Sequence, residues 1–580
     1  MQDTERLARA MQLYKGGETD ACLSLLQPVM DSGERPFPAV LLAAQCHARL
    51  EQNLEAARLY VEAAGQAAGN RELLYLLAAR LYLMEEKDEE ALPLAFKAVR
   101  DDQFDPETHN TVRRLLRSRL LIAKAEASNT AVLKGMESRD PAFFKVDDPY
   151  DHLLWCGDEA INHRQTRMSK GEAFTPASKQ ARRSLPLPGN DRIRIGYLSA
   201  DFCDQHPTMR LFRGVLASHD RERFDIHHLC ITPQSMIAHD RGFRADLANL
   251  HCLPKDDEAA KEMVRSLDLD ILVDLKGHTK DCRINLVNSG LARLQVAYLG
   301  FPGSAFGIDC DYVIGDSIVT PDSARPYYHE KFCRLPDSYQ ANDNLFRPLP
   351  PPATRKDLGL PEEAFVLASF NVVRKISPQT ARLWARLMAA IPNALLWILC
   401  PPATRQNFLD HMVSLGVSAS AIHFADFYGY ESHLARLQCA DLGLDTYPYN
   451  GHTTTSDKLW AGLPVLTHKG SNFASRVSES LLHALGLDEL VMQTPDDLVA
   501  YTARLAQDRD TLVTLRRKLG ENRFLKPLFD TERFTRHLES AFTLMVERDR
   551  SGLEPDHFDV PPLPPRCHPF SCPLVGHHPR

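Results

Sequence analysis

Strand-sized apolar runs alternate with helical ones twice along this chain, and Pro348-Leu349-Pro350-Pro351-Pro352 separates the two series. The first series has runs at 193–198, 224–229, 269–275, 295–300 and 312–316, with helical stretches such as 259–267 between them. The run at 193–198 reads as a strand of alternating type. The second series has strands predicted at 365–370, 395–399, 422–424, 442–444 and 465–467. Helices are predicted there at 377–390, 405–415 and 430–439, the first with Ser377 as N-cap and Pro378 at N1. Such alternation implies a mostly parallel sheet with helices on both faces. The fold class is therefore α/β, with Rossmann-like domains in tandem over 191–346 and 360–550. Ligands of such sheets lie at the carboxyl ends of the strands, so the cleft between the two domains is the natural site.

A different pattern precedes them. Asp20-Ala21-Cys22, Glu55-Ala56-Ala57 and Glu90-Ala91-Leu92 recur 35 residues apart, each flanked by two helical segments. Residues 1–125 thus read as all-α, tetratricopeptide-like repeats that hold partners or protein substrates, with an irregular bundle as the alternative. Residues 126–190 read as a helical linker region, and the basic stretch 178–188 within it as the linker proper. The Pro-rich segment 551–580 carries Cys567, His568, Cys572, His577 and His578; their spacing fits no standard metal pattern, and a disordered tail is expected.

Composition excludes some classes. A net charge of −8 gives no sign of a nucleic-acid binder. No apolar run is long enough for a transmembrane helix, and the polar start Met1-Gln2-Asp3-Thr4-Glu5-Arg6 lacks a signal-peptide core. A cytoplasmic protein with no membrane partner is expected. The thirteen cysteines, without CxxC pairs, suit a reducing compartment.

The most informative segment runs from Leu444 to Asp457 and includes Asn450-Gly451-His452-Thr453-Thr454-Thr455-Ser456-Asp457, followed by an apolar run to Val465. It reads as a loop entering a helix whose first turn carries hydroxyls and free backbone N–H groups. Such a helix start binds phosphate, and a carboxylate one turn further accepts from ribose hydroxyls. The plainer alternative is an N-cap, with Thr453 or Thr454 closing the helix and Asp457 favoured by the dipole. Further polar residues fall at strand ends: His206 after the first strand, Gly300-Phe301-Pro302-Gly303 after the fourth, Asn371, Arg374 and Lys375 after the first strand of the second series. Arg374 and Lys375 are placed to neutralise a diphosphate. His433 precedes the key loop, placed to stack on a base. Each alone is more often a solvated side chain; their joint occurrence at strand ends carries the argument.

His206-Pro207-Thr208, Gly300-Phe301-Pro302-Gly303, Phe370-Asn371…Lys375, Leu444-Asp445-Thr446…Asn450-Gly451-His452-Thr453-Thr454…Asp457…Trp460-Ala461-Gly462 and Ala474-Ser475-Arg476-Val477 together resemble the O-linked N-acetylglucosamine transferase and SPINDLY-like family, glycosyltransferase family 41. The resemblance covers about 190–550 and, more loosely, the repeats. It implies a GT-B enzyme, inverting and metal-independent, with a nucleotide-sugar donor and protein Ser or Thr hydroxyls as acceptors. By position, Lys375 would stabilise the departing diphosphate, Thr453 and Thr454 would bind phosphate, and Asp457 would hold the ribose. His433 would stack near the base, and His452 would sit by the sugar and diphosphate. His206 would lie beside the anomeric carbon and the acceptor hydroxyl. Gly300, Pro302 and Asn371 complete the implied donor site. Leaving-group charge would be met by a cation, hydroxyls and a helix dipole, with no metal and no other cofactor.

Two positions depart from the family pattern. Val372 replaces a polar amide, and Tyr430 replaces a lysine three residues before His433. UDP-N-acetylglucosamine is the favoured donor because of Asn450-Gly451-His452. GDP-fucose and UDP-glucose stay open, as do a small-molecule or polysaccharide acceptor and a repeat scaffold with a decayed transferase half.

Overall fold

The computed structural model describes residues 3–100, 102–171 and 174–570. The chain forms two compact units: Met1–Asp147 with Pro402–Phe408, and Asp148–Pro401 with Leu409–Arg580. Among the described residues no helix is long and apolar enough to cross a membrane.

In the first unit helices follow one another in pairs: Asp3–Lys15 and Thr19–Met30, Phe37–Arg49 and Asn53–Gln66, Arg71–Met84 and Asp88–Ala98, Pro106–Ser118 and Ile122–Glu137. The fourth residue of each second helix is small and buried: Cys22, Ala56, Ala91 and Ala125. These lie in one core and let paired helices approach closely. Their steps of 34, 35 and 34 residues correct the uniform spacing read from the sequence. Ala21, aligned there with Ala56, is exposed; Cys22 is its equivalent. The same slip hid the fourth pair, because Ala125 falls one residue short of the 35-residue register.

The second unit holds two sheets. The first comprises β1 (Ile193–Ser199), β2 (Phe224–Cys230), β3 (Leu250–Cys252), β4 (Ile271–Asp274), β5 (Leu294–Ala297), β6 (Tyr312–Asp316), β7 (Lys331–Leu335) and β14 (Phe558–Asp559). The second comprises β8 (Phe365–Ser369), β9 (Ala394–Leu399), β10 (Ile422–Ala425), β11 (Leu442–Leu444), β12 (Val465–His468) and β13 (Val491–Met492). Their orders are β14-β7-β6-β5-β4-β1-β2-β3 and β10-β9-β8-β11-β12-β13, with all pairings parallel. The order reverses at β1, between β2 and β4, and at β8, between β9 and β11. Each reversal opens a crevice at the strand carboxyl ends. The first lies beside His206; the second beside Asn371, Lys375 and the 445–452 loop. β1 does not alternate: its last five residues are all buried, as expected of a central parallel strand covered on both faces.

Two expectations fail here. The basic linker at 178–188 is docked: the helix Pro176–Arg183 starts at a Thr175–Ser178 capping box, and Arg182 is clamped by Asp309 and Asp311 at 2.7–3.1 Å. Charge complementarity with two buried carboxylates, invisible in a local basic run, holds it. The tail expected to be disordered is ordered through Phe570: β14 pairs with β7, and Phe570 is buried, its N–H donating to Phe524 O at 3.0 Å. Cys572, His577 and His578 lie outside the described residues.

The helix Thr531–Arg550 returns from the second sheet to the first. Glu539 accepts from Asp220 N at 2.8 Å and bonds His219 Nδ1 at 3.1 Å, while Asp549 takes a bidentate pair from Arg293. Ser480 of the second lobe donates to Asp316 at the end of β6 at 2.6 Å. The lobes are thus joined by polar contacts.

Candidate active site

The loop after β11 is organised around a carboxylate. Asp445 Oδ1 accepts from the N–H groups of Thr446 (2.8 Å) and Gly451 (2.7 Å), and Oδ2 accepts from Thr467 Oγ1 (2.8 Å). Asn450 bridges further, its Nδ2 donating to Thr446 O and its Oδ1 accepting from Ser478 N. Gly451 admits no side chain: a Cβ would lie 2.6 Å from the hydroxyls of Thr454 and Thr455 and 2.8 Å from Asn371 Oδ1. The helix Thr453–Trp460 follows at once.

Its N-cap is His452, and no side chain caps it. The capping role considered for Thr453 and Thr454 therefore fails. Thr454 Oγ1 donates instead to Asn371 Oδ1 at 2.5 Å, tying the helix start to the loop after β8. Thr455 bonds Ser478, facing inward, while Thr453 and Thr454 stay half-buried at the pocket surface. A positive helix end is left to an outside partner.

Lys375 reaches the same place from β8. Its Nζ donates to Asn450 O at 2.8 Å and lies 4.1 Å from the centre of the Tyr449 ring. Burial pushes the ammonium down to about 7, with Asp445 opposing and Lys458 and Arg374 adding to the shift. His452 stacks on the same Tyr449 ring, at 4.7 Å and 24°. Burial, then Lys375, holds its imidazole well below the usual range, so it is neutral.

Asp457 is buried one turn into the helix. Tyr430 donates its phenol to Asp457 Oδ1 at 2.7 Å, and Arg347 Nη1 lies 4.0 Å away while donating to Ser456 Oγ at 2.8 Å. Desolvation raises the Asp457 pKa against Arg347 and the Tyr430 bond. His433 sits one turn after Tyr430, edge-on to Phe370 at 5.4 Å, with Arg436 donating to its Nδ1 from Nε (3.2 Å) and Nη2 (3.0 Å). Burial and Arg436 push it down to about 3. Val372, beside Asn371, is 54% exposed and offers no hydrogen bond through its side chain.

The first lobe supplies the facing wall. His206 is the N-cap of the helix Pro207–Ser218, its Nδ1 accepting from Thr208 N at 3.2 Å. In the neutral ring this places the proton on Nε2, which points at Asp201 Oδ1 at 3.6 Å. Burial lowers the His206 pKa; Asp201 opposes, and Lys276 and Arg210 add to it. Asp201 is itself held by Lys276 Nζ at 2.6 Å and Thr208 Oγ1 at 3.2 Å. Gly300 is required by the lobe's own packing, since a Cβ would lie 2.1 Å from Leu275 O. Pro302 is buried in the same turn, while Phe301 packs against the cluster formed by Leu153, Leu154, Tyr449 and Ala474.

The structure therefore gathers Asn371, Lys375, Gly451, His452 and Thr454 tightly, with Asp457 tied by the Tyr430 phenol to the helix that carries His433. His206, Gly300 and Pro302 stand on the opposite lobe. The two are linked by Arg210, whose guanidinium lies 4.3 Å from the centre of the Tyr430 ring. Sequence reasoning missed Arg210, Arg347, Asp201 and Lys276. Arg210 had a signal, being four residues after His206 on a helix and so on the same face. Arg347, next to the proline break, had none.

Two parallel-sheet lobes with crevices at their strand carboxyl ends, one carrying a cation and an uncapped helix start, define a fold of the GT-B type. Residues 162–349 and 351–538 match the model of Glycosyl transferase family 41, and the chain belongs to that family. Among relatives, a probable UDP-N-acetylglucosamine–peptide N-acetylglucosaminyltransferase SEC of Arabidopsis thaliana is 32% identical over 381 residues, 64% of this chain and 39% of that one. A SPINDLY protein of Petunia hybrida, named as a probable enzyme of the same kind, is 30% identical over 387 residues, covering 64% and 40%. The UDP-N-acetylglucosamine–peptide N-acetylglucosaminyltransferase of Caenorhabditis elegans is 26% identical over 490 residues, covering 64% and 42%. The chain thus spans about two fifths of the length of these relatives. A solved mutant O-GlcNAc transferase of Thermobaculum terrenum superposes with a TM-score of 0.65 at 24% identity, over 95% of this chain and 98% of that one, a likeness of fold.

Proposed function

We propose that this protein is an inverting transferase that moves N-acetylglucosamine from UDP-N-acetylglucosamine to Ser or Thr hydroxyls of proteins. The observation that carries this reading is the convergence of Lys375, Thr454 and the uncapped helix start on Gly451. A diphosphate there would meet an ammonium, hydroxyls and backbone N–H groups at a positive helix end. Lys375 would neutralise the leaving group, with Thr453 and Thr454 binding phosphate and Asn371 fixing Thr454. Asp457 would accept from the ribose, His433 would flank the base, and neutral His452 would lie by the sugar. This set supplies leaving-group stabilisation with no divalent cation in the assignment.

His206 is given a positioning role. With its Nδ1 lone pair occupied and its proton on Nε2, it serves as a donor towards Asp201 or an incoming oxygen rather than as a ready base. The helical repeats are assigned to holding the acceptor protein, in the cytoplasm. The experiment is a donor panel: UDP-N-acetylglucosamine, UDP-glucose and GDP-fucose are offered with acceptor proteins, and products are read by intact mass. Mass gain of one N-acetylhexosamine, lost in Lys375→Ala, supports the reading. Transfer of fucose or glucose alone replaces the donor; no binding of UDP or GDP by calorimetry leaves a scaffold.

A further inference from the structure

A pair of thiols at the edge of the first sheet is wired to the loop that carries His206. Cys230 ends β2 and Cys252 ends β3, and the two are direct partners in the parallel register. Neighbouring strands lie about 4.7–4.9 Å apart, inside the Cα separation a disulfide spans. Both sulfurs lie on one guanidinium: Arg244 Nη1 is 3.1 Å from Cys230 Sγ, and Nη2 is 3.5 Å from Cys252 Sγ. Because β3 is the outermost strand, Cys252 is exposed, while Cys230 is buried beneath it.

The same guanidinium donates to Phe202 O at 3.2 Å. Phe202 N in turn donates to Thr232 Oγ1 at 3.1 Å, and the Cys230 thiol lies 3.3 Å from that hydroxyl. Both backbone groups of Phe202, four residues before His206, are therefore held by partners of the thiol pair. Cys22 and Cys46 make an instructive contrast. Their sulfurs are only 3.4 Å apart, yet both are fully buried, and burial pushes the Cys46 thiol up to about 12 against the opposing charge of Arg49. Proximity is present there; access is not.

We propose that Cys252 and Cys230 form a peroxide-responsive dithiol, whose closure into a disulfide withdraws both sulfurs from Arg244 and loosens its hold on the loop before His206. The Cys252 thiolate attacks one peroxide oxygen and the O–O bond breaks. A sulfenic acid forms, and the departing hydroxide takes up the thiol proton as water. Cys230 sulfur then attacks Cys252 sulfur; the S–S bond forms, the S–O bond breaks, and the oxygen leaves with the Cys230 proton as a second water. Two thiols are oxidised and one peroxide is reduced.

The test treats the full chain with stoichiometric hydrogen peroxide, blocks residual thiols, and combines peptide mapping with amide hydrogen exchange. The expected result is a 230–252 cross-link with loss of two hydrogens, reversed by dithiothreitol, and faster exchange over residues 200–206. Cys252→Ser, an exposed substitution that leaves the core intact, should show neither. Cross-linking elsewhere without this pair, an unchanged response in Cys252→Ser, or a cross-link with unaltered exchange overturns the proposal. None of these readouts depends on the sugar donor.

Discussion

The Tyr430 phenol donates to Asp457 Oδ1 at 2.7 Å, occupying one oxygen of the carboxylate proposed to hold the ribose. Arg210 of the other lobe covers the Tyr430 ring, so the phenol is braced from across the cleft. Donor entry at Asp457 would then exchange one hydrogen bond for another. Tyr430→Phe should tighten UDP binding about three- to tenfold, the equivalent of one net hydrogen bond of about 1 kcal/mol. Asp457→Asn should weaken it by at least as much. Calorimetry on both variants checks this; weaker binding by Tyr430→Phe would show that the phenol serves the ligand instead.

Lys375 sets a pH dependence. Its ammonium is pushed down to about 7 by burial, so in the free protein it loses its proton as pH rises through that value. UDP favours the charged form and should take up a proton on binding near pH 8. Affinity should fall above pH 7 by up to about tenfold per unit, the limit for one coupled proton. Lys375→Arg, with a guanidinium that stays charged, should flatten the slope. For stability the sign is opposite: the unfolded lysine keeps its proton to about 10.4, so this group's contribution rises with pH between those values. Urea midpoints at pH 7 and 9, compared with Lys375→Met, measure it.

Gly451→Ala tests the crowding at the helix start. The added methyl would meet three oxygens at 2.6–2.8 Å, forcing the 445–452 loop away from Thr454 and Asn371. UDP affinity should drop by tenfold or more, and overpacking should cost about 1–3 kcal/mol of stability. Thermal unfolding and calorimetry read the two effects separately.

Metal removal should leave turnover unchanged, because the proposed leaving-group stabilisers are Lys375, Thr453, Thr454 and the helix end. Assays with excess EDTA, then with added magnesium or manganese, check this; activity restored only by a metal would refute the assignment.

Much of the fold was legible because strand-sized runs alternate with helical ones, and ten of the strands in the two sheets coincide with the runs read from the sequence. The strands β3, β13 and β14 were not, at two or three residues each. Nor was β7, Lys331-Phe332-Cys333-Arg334-Leu335, whose two charged residues break the apolar run. In the site, Asn371, Lys375 and Gly451–Asp457 were readable because they sit together at strand ends. Asp201 and Lys276 were not, since they come from loops 75 residues apart and meet only through the neighbouring β1 and β4. Arg347 looked like part of an interdomain break; Ser456 and the rings of Trp460 and Phe529 make it part of the second lobe.

The two-residue strand Phe558–Asp559 covers the outer side of Lys331–Leu335, which would otherwise present unpaired backbone to solvent. A protein cut back to the end of the helix Thr531–Arg550 would keep every proposed donor contact and still bare that ribbon. Self-association through a newly sticky flank, rather than lost chemistry, is the failure to expect from such trimming.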